Sequence, residues 1–102
     1  MKLEMQQPDH PGVFVKFIIL DKHGLSQKEL AERIKVSARK INEIIKGKRS
    51  LTLDTAMRLE ALTGQSAQFW LNLQIRYDMW NAHYSESHRI PEIQQIQRLS
   101  AA

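Results

Sequence analysis

With 102 residues, 42% of them hydrophobic and 25% charged, the chain is sized for one ordinary globular domain with a single modest core. It contains no cysteine, which excludes a disulfide framework and any cysteine-ligated zinc site, and no stretch approaches the roughly 18 apolar residues that span a bilayer. The formal net charge is +4, spread unevenly: residues 22–49 hold nine Lys and Arg side chains against three acids, whereas the rest of the chain holds six against eight.

The leading residues 1–9, MKLEMQQPD and the start of the domain beyond them, lack the apolar core of a signal peptide, so a cytoplasmic location with no membrane partner is expected. A first helix is predicted from Pro11, where a missing N–H is harmless, to near His23-Gly24. Its apolar residues Val13, Phe14, Phe17, Ile18 and Leu20 are expected to cover a broad buried face. Ser26 and Glu29 then form a capping box, with Leu25 and Leu30 as its hydrophobic staple, and predict a second helix over 27–34. Ser37 is a second N-cap, with Val36 and Ile41 as staple, for a third helix over 38–46 that Gly47 ends in a left-handed conformation. Thr52 caps a fourth helix that carries Leu53, Ala56, Met57, Leu59 and Leu62 toward the core and stops at Gly64. A fifth helix follows Ser66 and runs to Asn81 or Tyr84. In the tail, residues 85–102, Pro91 can open a short helix with Ile93, Ile96 and Leu99 spaced by three, ordered only when it packs on something. No strand-like alternation appears, so the fold is expected to be all-α with its body over residues 10–84.

Only Lys35 and Val36 separate the second helix from the cap of the third, which is helix-turn-helix spacing, and the second member of such a pair enters the DNA major groove. A basic run is ordinarily a solvated face, but this one coincides with two capped helices and forms the electrostatic footprint of a phosphate binder. At about 100° per residue, Ala38, Ile41, Ile44 and Ile45 share the buried side of the third helix. Arg39, Asn42, Glu43 and Lys46 form the outward stripe. Arg39 suits guanine, Asn42 adenine, and Glu43 the cytosine amino group. Gln27 sits in the first turn of the second helix, where the helix dipole favours an anion, and can donate to a phosphate. Lys48 and Arg49 follow the third helix and can meet phosphates too. The expected DNA-binding set is therefore Gln27, Lys28, Ser37, Arg39, Lys40, Asn42, Glu43, Lys46, Lys48 and Arg49. Ala31 stands where the two helices must cross closely.

The fifth helix carries two apolar stripes. Phe69, Trp70, Leu73, Tyr77, Trp80 and Tyr84 lie on one side, and Leu71, Ile75, Met79 and Ala82 on another. A surface helix of a small domain needs one stripe for its own core, so the second calls for another subunit, the tail or a protein partner. Self-association is the preferred account, because helix-turn-helix proteins commonly bind two half-sites as dimers. Trp70, Leu71, Ile75, Met79 and Trp80 are the expected interface residues.

The run from His10 to Trp80 resembles the Xre/Cro-like helix-turn-helix proteins and, within them, the HigA (VapI) antitoxins. The matching segments are HPG at 10–12, LSQKELAERIKVS at 25–37, GKRSLTLDTAMRLEALTG at 47–64 and FWLNLQIRYDMW at 69–80. The second of these specifies DNA binding and little more; the last two narrow the resemblance to the antitoxins. The resemblance implies a five-helix, lambda-repressor-like DNA-binding domain and a homodimer. It also implies operator DNA as ligand, a RelE-like, mRNA-cleaving toxin of the HigB type as partner, and repression of the shared promoter. The chain departs from the family in two places. Lys35 stands where the turn usually has Gly, at a cost of about 1 kcal/mol in a left-handed conformation, and Val13 follows HPG where Glu is frequent.

The histidines His10, His23, His83 and His88 show no helical pairing with Glu, so no metal site is expected. His83 and His88 are read as solvent-exposed or at an interface. No Gly-rich phosphate loop, G-x-S-x-G elbow or nucleophile–base pair is present, and neither an enzyme nor a cofactor is expected. The leading expectation is a type II antitoxin that also represses its own operon. The alternatives are a free-standing regulator without a toxin, and an interaction module that reuses the fold to bind protein alone.

Overall fold

The computed structural model describes residues 6–85 and 91–100. Among them every regular element is helical: α1 (Pro11–Phe14) running on into a π-helical stretch (Val15–Asp21), α2 (Gln27–Ile34), α3 (Ala38–Ile45), α4 (Leu53–Thr63), α5 (Ala67–Tyr84) and the short α6 (Pro91–Gln94) in the tail. This is the expected all-α body of five helices with a short helix after it. Parts of the lead and tail, residues 1–5, 86–90 and 101–102, lie outside the described residues, and His88 with them.

The helix starts form as their caps dictate. The Ser26 hydroxyl accepts from the Glu29 N–H and the Glu29 carboxylate accepts from the Ser26 N–H, each at 3.0 Å. Ser37, Thr52 and Ser66 accept from the N–H three residues on, at 3.1, 3.3 and 3.1 Å. The stops are equally local. Lys35 adopts the left-handed conformation at φ 61°, and the Val36 N–H reaches the Ala31 carbonyl at 3.0 Å while the Lys35 N–H bonds Glu32 at 3.3 Å. Gly47 (φ 74°) repeats the pattern, with Lys48 N–H to Glu43 at 2.8 Å and Gly47 N–H to Ile44 at 3.0 Å. Both are Schellman closures; the one at Lys35 sets the spacing of the α2–α3 pair and the one at Gly47 ends α3.

The core joins Val15, Ile19 and Leu20 to Leu30, Ala31 and Ile34 of α2, Ile41 and Ile44 of α3, Leu51, Ala56 and Leu59 at α4, and Trp70 of α5. Three expectations about burial need correction. The π-helical winding, with bonds to i−5 rather than i−4, changes which side chains of the first helix share a face. Val15 and Ile19 turn inward, leaving Val13 42% and Phe17 69% exposed. In α4 the inner face is Thr55, Ala56 and Leu59, so Leu53 and Met57, four residues apart, share the outer face. Ala38 opens α3 beyond the packed region and is exposed, and Ile45 is half-buried.

Polar ties complete the scaffold. The Arg58 guanidinium, held by Asp54 at 2.8 Å, donates to the Ile34 and Lys35 carbonyls at 2.9 and 3.2 Å and so satisfies the end of α2. Buried Gln74 accepts from the Leu51 N–H at 2.8 Å and donates to Asp78 at 2.9 Å, pinning the loop after α3 to α5. At Gly12 the first helix touches α3 so closely that an added Cβ would fall on the Ile44 carbonyl. The tail's Ile93, Ile96 and Leu99 are exposed.

Candidate nucleic-acid interface

The α2–turn–α3 unit presents the predicted residues in three tiers. Arg39 is the freest, with 84% of its side chain exposed in the first turn of α3. Lys28, Ser37, Lys46 and Lys48 are exposed as well, and Lys40 is half-buried. Gln27, Asn42, Glu43 and Arg49 are tied to one another in pairs. The Asn42 amide donates from Nδ2 to Gln27 Oε1 at 3.0 Å across the two helices. That bond consumes the acceptor end of Gln27 and leaves its own Nε2 donors available to a phosphate. It also leaves Asn42 with its carbonyl and one N–H for other use.

Glu43 departs from the expected outward-facing reader. Its carboxylate accepts from Arg49 Nε and Nη2 at 3.1 and 2.7 Å, and its second oxygen lies 3.7 Å from Arg39 Nε. The polar stripe therefore consists of an amide pair and a carboxylate held closely by Arg49 and more loosely by the exposed Arg39.

Two supports of this surface were not anticipated from the sequence. His10 is buried and serves as the N-cap of α1: its Nδ1 accepts from the Gly12 N–H at 2.9 Å, and its ring meets Tyr77 edge-on at 5.0 Å. Burial pushes its pKa below the ordinary value, opposed by the Asp78 carboxylate and by a hydrogen bond to the Arg49 backbone. His10 thus ties the start of α1 to the loop that carries Lys48 and Arg49. Histidine is not a usual capping residue, so the only signal was its position directly before Pro11. Arg58, 23 residues beyond the turn that it caps, carried no sequence signal at all.

On α5, Ile75 and Met79 are 50% and 44% exposed, one turn apart, with Leu71 half-buried above them. Trp80 is half-buried and stacks at a tilt on Tyr84, centroids 4.9 Å apart. Trp70, expected at a subunit interface, is instead fully buried in the same core cluster as Leu30 and Leu59 and is unavailable to a partner. The inward face of α5 is the one that carries Trp70, with Gln74 and Asn81 also buried, while Tyr84 on the aromatic side is exposed. Of the other histidines, His23 and His83 are exposed. Among the described residues no group of three or more His, Asp or Glu side chains could hold a metal, and no helix is long and apolar enough to cross a membrane.

The helix-turn-helix family pattern matches residues 18–70. The chain is 44% identical to virulence-associated protein I of Dichelobacter nodosus over 69% of its own length, spanning 65% of that protein. It is 32% identical to antitoxin HigA-1 of Vibrio cholerae over 79% of its length and 76% of the relative's. In three dimensions it is similar to the Pseudomonas aeruginosa antitoxin HigA solved with the higBA promoter. That likeness has a TM-score of 0.77 and 34% identity over 91% of this chain and 99% of that one. The capped helix pair, the exposed basic stripe and these likenesses agree: the chain belongs to the helix-turn-helix family, in the branch that holds virulence-associated protein I and the HigA antitoxins.

Proposed function

We propose that this protein is the antitoxin of a type II toxin–antitoxin pair, a homodimer that represses its own operon and neutralises a RelE-like toxin of the HigB type. The observation that carries the DNA-binding half is the exposed arginine in the first turn of a helix flanked by Lys28, Lys46 and Lys48, on the scaffold shared with a HigA antitoxin bound to a promoter. In this reading Arg39 and Asn42 contact base edges, while Gln27, Ser37, Lys40, Lys46, Lys48 and Arg49 hold phosphates. The dimer forms through Leu71, Ile75, Met79 and Trp80, which places two copies of α3 for successive major grooves about 34 Å apart.

The antitoxin half rests on the relatives and on apolar side chains left outside the core at Val13 and Phe17. Co-expression tests it. The open reading frame adjacent to this gene should arrest growth when induced alone and lose that effect when this protein is supplied. If it does not arrest growth, or if this protein fails to relieve the arrest, the antitoxin reading is wrong and a free-standing regulator takes its place. An Arg39→Ala variant should still relieve the arrest, because a side chain facing DNA has no place in the toxin contact.

A further inference from the structure

Glu43 had the chemistry of a base reader, but its surroundings leave it little to read with. One carboxylate oxygen accepts two bonds from Arg49, at 3.1 Å from Nε and 2.7 Å from Nη2, and the other lies 3.7 Å from Arg39 Nε. Only 26% of the side chain is exposed, against 46% for Arg49 and 84% for Arg39. Leaving Arg49 to meet a cytosine would give up a charge-assisted pair. It would also bring an unneutralised carboxylate toward the phosphates.

We infer that Glu43 is a positioning residue that aims Arg49 at a phosphate, rather than a reader of bases. This rests on the proposal that α3 reads DNA. A guanidinium has five N–H donors; Glu43 engages Nε–H and one on Nη2, leaving the outer donors for a phosphate oxygen. Arg49 directly follows the hydrogen-bonded turn formed by Gly47 and Lys48. What remains loose is its long side chain, and the carboxylate six residues back, on α3, supplies the second point of attachment. Two arginines around one carboxylate keep the local charge positive, so the pair does not repel the duplex. Arg39, beyond hydrogen-bond distance of Glu43, is loosely held and stays available for a base.

The test uses Glu43→Asp, which keeps the charge and retracts the carboxylate, alone and combined with Arg49→Ala. Binding is measured to a duplex from the region upstream of the gene and to a random-sequence duplex of equal length. The expected result is a loss of about three- to ten-fold for Glu43→Asp on both duplexes, the range set by freeing one long side chain. In the Arg49→Ala background the same substitution should cost nothing further. The Arg49 Nε–H resonance, held by Glu43 in the free protein, should broaden by solvent exchange in Glu43→Asp with the melting curve retained. A loss confined to the upstream duplex that persists without Arg49 would make Glu43 a base reader and overturn the inference. So would unchanged binding by Glu43→Asp while Arg49→Ala weakens it. If Arg49→Ala and Arg39→Ala both leave binding to either duplex unchanged, it is the reading of α3 itself that fails.

Discussion

His10 accepts from Gly12 through Nδ1, meets Tyr77 with its ring edge and bonds the Arg49 backbone, so one imidazole links α1, α5 and the loop after α3. The arrangement needs a neutral ring, because a protonated Nδ1 cannot accept from Gly12. Burial holds the pKa in the folded state below the ordinary 6.5, so the unfolded chain binds more protons than the folded one. The stabilisation is therefore fully present above about pH 6.5 and is lost as the pH falls through the lowered value. Thermal melts between pH 7.5 and 5 should show the wild type losing stability faster than His10→Asn, whose side chain can cap α1 without titrating. Parallel pH profiles for the two proteins would remove His10 from this role. Among the described residues the carboxyl of Glu29 is also lowered, held by its bonds to Ser26, and it loses its contribution only as the pH drops below its ordinary 4.5, outside that window.

At the scale of the elements, two backbone positions decide whether the helix pair is correctly placed. Replacing Gly12 with Ala would drive a Cβ into the Ile44 carbonyl, and backbone cannot swing aside as a flexible side chain can. We predict a loss of about 3 kcal/mol, the upper end of typical overpacking costs, measurable as a lowered midpoint in urea. Lys35→Gly should act in the opposite direction, raising stability by about 0.5 kcal/mol. The relief of a left-handed non-glycine residue outweighs the added entropy of the unfolded chain. A Lys35→Gly protein less stable than the wild type would mean that its side chain contributes more than the φ angle costs. These elements show what the sequence could disclose. Caps and stops act within three or four residues, so Ser26, Ser37, Thr52, Ser66, Gly47 and Gly64 were legible in place, whereas the left-handed turn at Lys35 was expected only from the family resemblance. The burial of Phe17, Leu53 and Met57 was misjudged because it depends on a π-helical winding and on which face of α4 meets α5. Both are set by tertiary packing. The pairing of Glu43 with Arg49 was not legible for a related reason: Arg49 lies past a left-handed turn, which helical periodicity does not track.

For the whole molecule, the exposed Ile75 and Met79 should seal a homodimer, and Ile75→Glu with Met79→Glu should shift the sedimenting species to a monomer. Loss of dimer should weaken operator binding far more than binding to a single half-site. Retention of the dimer would place the interface elsewhere. The surplus of six positive charges in residues 22–49 against the deficit of two in the rest predicts binding that falls steeply between about 50 and 200 mM salt, since each phosphate contact releases counterions. Affinity that does not change with salt would contradict a phosphate-based interface.

The measurement that tests the central claim most directly compares Arg39→Ala with Lys48→Ala on two DNAs, the duplex upstream of the gene and a random sequence of equal length, by fluorescence anisotropy at fixed salt. If α3 reads sequence, Arg39→Ala should cost roughly 1–3 kcal/mol on the upstream duplex and leave the random one nearly unchanged. Lys48→Ala should weaken both by a similar factor and reduce the salt slope by about one. Equal proportional losses on both duplexes for both substitutions would contradict the account, because α3 would then hold DNA without reading it.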